Sequence, residues 1–278
     1  MRNHKVDQSY SKRMNAMTEK NGAGLTQSVT RALAILSCFT DEQPEVRVID
    51  VAKQLNLTQS NVSRLLSTLV SLGYVEKDEF SGFYRLGPQI ITLGGIALNH
   101  YEIRKQALPE LHELEKQLGL GANLAILSRN RMFYLAHVDS RKSPRMYTLV
   151  GRSNPLHCTG IGKVLLASMS REEAEIAIET DKLHPYTAKT ITDKQALFAQ
   201  LEEVREKGYA VEHEELALGR ACIAAPVRGR NGKVLAGISI SGPLSEIHLE
   251  TRRQELAGIL IEVTDRVSMK MGYLTGTR

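Results

Sequence analysis

The sequence predicts an α+β chain: an N-terminal winged helix-turn-helix domain, a linker helix, and a C-terminal domain in which an antiparallel sheet is flanked by helices. Two observations carry this. From Val48 to Gly73 the apolar residues describe two short helices meeting at a tight turn, and from Leu120 onward β-prone runs alternate with helical ones. A chain of 278 residues is long enough for two such domains.

Met1 to Gly24 is polar and lacks an apolar segment, so it reads as a tail, neither signal peptide nor domain, with Lys12, Arg13 and Lys20 available to phosphate. Val29, Ala32, Leu33, Leu36 and Phe39 then recur at helical spacing, which predicts a helix closing a small core. In the helix that follows, Val51, Ala52 and Leu55 form the inner face, with Ala52 small where the next helix must cross. Asn56 and Leu57 make the turn. Thr58 is an N-cap, Val62, Leu65, Leu66 and Leu69 are the buried stripe of the second helix, and Gly73 stops it. Tyr74–Lys77 and Phe83–Leu86 are β-prone runs joined by Asp78 to Gly82, a hairpin placed as a wing. The domain spans 25–87.

The outer face of the second helix carries Gln59, Ser60, Asn61, Ser63, Arg64 and Ser67: short hydrogen-bonding groups, one guanidinium and no carboxylate. Asn and Gln can pair with adenine edges, Arg with guanine or phosphate, and hydroxyls with either, so this face suits a major groove. A merely solvated helix face can look the same; the wing directly behind it favours DNA. Thr58 at the helix start and Arg85 in the wing complete the candidate DNA-contacting set.

Gln89 to His100 and Glu102 to Gln117 read as helices, with Pro109 as an interruption or a fresh start. Residues 88–101 form the linker, and 102–278 the second domain. Ile90, Ile91, Leu93, Ile96, Ala97 and Leu98 exceed what one helix buries on one face, which predicts a covering partner surface, a dimer contact. Beyond them, Ala122–Leu127, Met132–Val138, Tyr209–His213, Cys222–Arg228 and Val234–Ser241 read as strands. Thr159–Ser168, Arg171–Glu179 and Asp193–Lys207 read as helices. Asn231-Gly232 predicts a type I′ turn, and an amphipathic helix from about Ser245 to Met271 closes the chain.

The net charge of +5 and isoelectric point near 9.0 are compatible with nucleic acid, but residues 25–87 hold six Lys/Arg against seven Asp/Glu. Any positive DNA surface there must come from arrangement, tail or assembly. Three cysteines far apart supply no disulfide framework, and no apolar run reaches membrane length, so a cytoplasmic chain without membrane contact is expected.

With these elements in place the chain resembles the IclR family of bacterial transcriptional regulators. The resemblance rests on Gln27-Ser28-Val29 with Arg31-Ala32-Leu33, on Arg64-Leu65-Leu66 through Gly73-Tyr74-Val75, and on Tyr84-Arg85-Leu86-Gly87. In the second half it rests on Asn154-Pro155-Leu156-His157, Gly162-Lys163, Gly208-Tyr209-Ala210, Glu214-Glu215, Cys222 to Val227 and Ser239 to Pro243. It implies a GAF-like effector domain, assembly as a homodimer or homotetramer, and double-stranded operator DNA and a small carboxylate as partners. Repression is expected ahead of activation.

In Leu156–Lys163, Thr159 caps a helix whose Gly160 and Gly162 leave backbone N–H groups open, a seat for a carboxylate; equally, the glycines can serve close helix-to-sheet packing. It is not a phosphate-binding P-loop, because His157 and Val164 occupy the positions that need Gly and Ser or Thr. The resemblance places the effector pocket on Met146, Gly160, Ile161, Glu212, Cys222, Ser239 and Ser241. Ser239 and Ser241 share a face at period two, while Met146 and Ile161 offer an apolar wall. Glu212 departs from the family's usual Asp, and Ile161 is bulkier than its usual small residue. A sugar acid, a short keto acid or an aromatic acid all fit. His157, Cys158 and Cys222 lack metal-site spacing, no cofactor motif is present, and Cys222 has only His213 as a sequence-near base, so neither a metal nor an enzyme is expected.

Overall fold

The computed structural model describes residues 25–140 and 150–274, as two compact units that divide between Ala97 and Leu98. The first contains α1 (Gln27–Leu36), β1 (Glu45–Val46), α2 (Val48–Leu55), α3 (Gln59–Ser71), β2 (Val75–Lys77), β3 (Tyr84–Leu86) and most of α4 (Pro88–Asn99). The tail, with Lys12, Arg13 and Lys20, and the candidate pocket residue Met146 lie outside the described residues.

Ile35, Cys38, Val46, Val51, Val62, Leu66 and Val75 make a small core in which α1, α2 and α3 meet the hairpin. The α2–α3 turn forms because Asn56 adopts a left-handed conformation (φ 52°), which its short polar side chain tolerates, and the Leu57 N–H returns to the Ala52 carbonyl. The wing has three strands in the order β1-β3-β2, β1 being too short to leave a periodic trace in the sequence. The expected inner face of α1 is corrected in part: Leu36 and Phe39 pack half-buried against this core as expected, but Val29 and Leu33 are exposed, and Ala34 and Ile35 are buried instead. The true inner stripe, Ala34, Ile35 and Cys38, runs beside the expected one in a helix apolar on more than one side. α4 has no buried residue, and Ile91, Leu93 and Ile96 face solvent.

In the second unit α5 (Glu102–Leu118) runs unbroken through Pro109. There follow β4 (Gly121–Ser128), β5 (Arg131–Val138), β6 (Ser153–Asn154), α6 (Gly160–Ala167), α7 (Arg171–Glu179), α8 (Lys194–Lys207), β7 (Ala210–His213), β8 (Arg220–Arg228), β9 (Val234–Pro243), α9 (Leu244–Ile247) and α10 (Leu249–Lys270). The strands form one antiparallel sheet in the order β6-β5-β4-β9-β8-β7. Its two faces follow from the period of two. Ala122, Leu124, Ile223, Ile238 and Ile240 face a core shared with α5 and α10, while Ala125, Tyr134, Ala210 and Ala224 face α6, α7 and α8.

Two expected details differ. Asn231-Gly232 is not a type I′ pair, because only Gly232 is left-handed (φ 75°); the Gly232 N–H bonds to the Gly229 carbonyl and the Gly229 N–H to the Lys233 carbonyl, a three-residue loop with a bulged glycine. A two-residue hairpin turn with positive φ at both positions is instead found at Arg129-Asn130 (51° and 59°), closing β4 and β5. The closing helix is also broken: His248 is left-handed (φ 45°) and separates α9 from α10.

Candidate functional site

On α3, Thr58 is the N-cap: its Oγ1 accepts the Asn61 N–H at 3.4 Å and lies 3.3 Å from Ser60 Oγ. With Val62, Leu66 and Leu69 turned inward, Gln59, Ser60, Ser63, Arg64 and Ser67 are left exposed and Asn61 half-buried. No acidic residue occupies the first turn, so the positive end of the helix is uncompensated. Arg64 is not free on this face. Its Nη2 donates to Asn61 Oδ1 at 2.7 Å, so the two residues act as one unit. In the wing, Arg85 Nε donates to Glu76 Oε2 at 2.9 Å across the hairpin, a compensation the sequence pattern does not reveal.

The second constellation lies on the α6-facing side of the large sheet. Neighbouring strands bring Asn123, Ser239, Ser241, Cys222 and Glu212 onto one face: Asn123 pairs with Ser239, Cys222 with Ser241, and Glu212 with Cys222. Asn123 Nδ2 donates to Ser239 Oγ at 3.2 Å and Ser241 Oγ at 3.3 Å, while Arg220 Nη2 donates to Ser241 Oγ at 3.2 Å. Behind Asn123, its Oδ1 lies 2.8 Å from His137 Nδ1, and His137 Nε2 lies 2.8 Å from Asp139 Oδ1. A continuous polar chain therefore runs from Asp139 through His137, Asn123 and the serines to Arg220. At the rim Asn154 Nδ2 donates to the Tyr134 hydroxyl at 3.4 Å; burial pushes that phenol up to about 12.

Of the sequence-predicted pocket residues, Gly160, Glu212, Cys222, Ser239 and Ser241 come together as expected, but several of their roles change. A Cβ on Gly160 would stand 2.8 Å from Cys222 Sγ and 3.2 Å from the Ala224 Cβ, so this glycine is needed for close packing of α6 on the sheet. The helix N-terminus is largely occupied by the chain itself: the Gly160 N–H is directed at the Cys222 sulfur, the Gly162 N–H at Thr159 Oγ1 (3.2 Å), and the Lys163 N–H at the Thr159 carbonyl. Ile161 is not an open wall either. It is buried, its side chain pressed against Gly237 of β9. Glu212 Oε1 accepts the N–H groups of Glu215 (2.6 Å) and Leu216 (3.2 Å), which turns its longer side chain toward the following loop. His213 alternates with Glu212 along β7 and faces away from Cys222, whose thiol is pushed up by burial.

The missed residues are Asn123, His137, Asp139 and Arg220 around the serines, and Lys163 with Glu215 beneath them. One signal was present: Asn123 is a single polar residue inside an apolar strand run, Gly121 to Leu127. Among the described residues no group of three or more His, Cys, Asp or Glu could hold a metal ion, and no helix is long and apolar enough to cross a membrane.

A polar floor in an apolar sheet, together with a winged helix-turn-helix, agrees with what comparison with known proteins finds. The model of the IclR helix-turn-helix domain matches residues 28–79, and that of the C-terminal domain of the bacterial transcriptional regulator IclR matches residues 95–269. The chain belongs to the IclR family. It is 35% identical over 246 residues to the HTH-type transcriptional regulator KdgR of Escherichia coli K12, covering 88% of this chain and 93% of that one. With the transcriptional repressor IclR of the same organism it shares 29% identity over 259 residues, 92% of this chain and 94% of the other. A solved structure, that of RHA06195 from Rhodococcus sp. RHA1, matches with a TM-score of 0.80 at 30% identity, over 89% of this chain and 98% of that one.

Proposed function

We propose that this IclR-family regulator represses transcription by binding a pseudo-palindromic operator as a dimer or tetramer, and that a small carboxylate held on the α6 face of its sheet changes that binding. The observation that carries the DNA reading is α3: its apolar stripe is committed to the core, and its outer face offers hydrogen-bonding groups and a braced guanidinium with no carboxylate among them. The ligand reading is supported by hydroxyl, amide and guanidinium groups gathered on a sheet that is otherwise apolar. Self-assembly is supported by α4, apolar and unburied.

A regulator is favoured over an enzyme because burial and the neighbouring Glu212 carboxylate disfavour the Cys222 thiolate. A gel-shift of the full chain against DNA upstream of its own coding region, with and without organic acids, tests the reading. A retarded complex that an acid weakens is expected; no shift on any upstream fragment in any condition would overturn it.

A further inference from the structure

We infer that Arg220 is the carboxylate anchor of this pocket, and that Asn123, Asn154 and Tyr134 make it a site for a hydroxylated aliphatic monocarboxylate, of aldonate or uronate type, in preference to an aromatic or a short keto acid. The inference rests on the ligand reading above and names the ligand's class.

Arg220 opens β8, half-buried at the rim, with one N–H donated to Ser241 Oγ at 3.2 Å. Among the described residues no carboxylate lies within ion-pair distance of it, whereas Arg85 holds Glu76, Arg131 holds Asp181, Lys163 holds Glu215 and Arg266 holds Glu110.

 The contrast lies in what remains unused. Those cations are neutralised by their partners, whereas a guanidinium carries five donors in a planar fork, and Arg220 keeps the greater part of its fork for a planar anion.

The surroundings select among anions. Ser239, Ser241 and Asn123 are buried and form the floor, so a ligand reaching them meets polar atoms rather than an apolar slot. Asn154 and the Tyr134 hydroxyl add donors and acceptors at the rim, and Tyr134 lies within the electrostatic reach of Arg220 and Cys222. Ile161, expected as an apolar wall of the pocket, is packed against Gly237. A ring or a methyl offers these polar groups no further hydrogen bond, whereas a chain of hydroxyls does.

The test is calorimetric titration of the full chain with D-gluconate, D-galactonate, D-glucuronate and D-galacturonate, against pyruvate and 4-hydroxybenzoate. At least one hydroxylated acid should bind tenfold or more tightly than both comparison acids. Arg220→Met should weaken it by more than tenfold, with Arg220→Lys recovering part of the loss. Asn154→Leu should weaken the hydroxylated acid but leave pyruvate unchanged, a split that a merely structural role would not produce. Tighter binding of pyruvate or 4-hydroxybenzoate, an unaffected Arg220→Met, or no binding by any of the four hydroxylated acids would overturn the inference. If a comparison acid binds and Ser241→Ala weakens it, the pocket stands and only the ligand class falls; if none of the six acids binds, both fall.

Discussion

The ammonium of Lys163, with no solvent exposure, lies 2.5 Å from Glu215 Oε1, joining the second turn of α6 to the loop after β7. Lys163 Nζ also donates to the Val211 carbonyl at 3.3 Å, so the cation is satisfied by a carboxylate and a carbonyl at once. Glu215 Oε2 is buried with no hydrogen-bond partner among the described residues. The pair thus clamps the helix packed on the candidate pocket's face of the sheet, and its worth depends on both partners being present.

Lys163→Met should therefore destabilise the chain by about 3–5 kcal/mol, because it leaves a buried carboxylate unpaired. Lys163→Met with Glu215→Leu should recover most of that loss, since an apolar pair of similar volume needs no hydration. Urea unfolding of the two single variants and the double variant measures the coupling; additive losses would show that the two residues do not act as a pair.

Glu212 and Glu215 are both held above the ordinary carboxyl value, chiefly by burial, with backbone N–H groups opposing the rise at Glu212 and Lys163 opposing it at Glu215. A carboxyl raised on folding binds its proton more tightly in the folded chain. The stability it contributes is fully present below the ordinary value of 4.5 and is lost as pH climbs through the raised one. Glu212→Gln keeps an oxygen for the N–H groups of Glu215 and Leu216 but removes the titration. The thermal midpoint of the parent should fall relative to that of Glu212→Gln as pH rises above 4.5; parallel curves would show that this carboxyl does not titrate differently on folding.

Much of this arrangement was legible in the sequence, and what was not has a common cause. Thr58, the α3 stripe and the two serines at period two are local patterns, set by 3.6 or 2 residues, and all are found where expected. Asn123 meets the serines only because β4 and β9 are neighbours, a contact across 116 and 118 residues of chain. Arg220 and Lys163 likewise acquire their partners through the fold. Turn chemistry misled for a different reason. Asn-Gly is a strong type I′ signal, yet the bulged three-residue loop uses Gly232 alone, while the ordinary-looking Arg129-Asn130 carries two left-handed residues.

Arg64→Ala should lower operator affinity by about 1–3 kcal/mol. If Arg64 reads a base, sequence preference relaxes; if it holds phosphate, the loss is uniform and the salt slope falls by about one. Because Asn61 Oδ1 accepts from Arg64, Asn61→Ala should reproduce part of the effect by releasing the guanidinium. Binding titrations over a range of salt separate these outcomes, and unchanged affinity in a folded Arg64→Ala variant would remove this residue from the DNA interface.

Ser241→Ala removes the hydroxyl that links Asn123 to Arg220 and should weaken whichever acid binds by about 0.5–3 kcal/mol, the larger value if the bond is charge-assisted. Operator binding without the acid should be unchanged, and release should need a higher acid concentration. Gly160→Val is a poorer probe of the pocket, since its Cβ would press on Cys222 and Ala224 and disturb the packing of α6. Calorimetry of the Ser241→Ala variant decides the matter: an undiminished affinity would place the acid elsewhere.

The remaining prediction concerns α4, whose Ile91, Leu93 and Ile96 are 77%, 44% and 54% exposed. An apolar helix with nothing buried is costly in water, and a second copy is the occupant that the proposed dimer or tetramer would supply. Ile91→Lys with Ile96→Lys retains helix propensity and touches no core, so each unit should keep its fold. Sedimentation should show self-association weakened by at least about tenfold, equivalent to roughly 1.4 kcal/mol. Operator affinity should fall with it, because two half-sites bound by linked copies gain from effective concentration that separate copies lack. If the double variant associates as tightly as the parent, the copies meet through another surface and the apolar face of α4 has a different purpose.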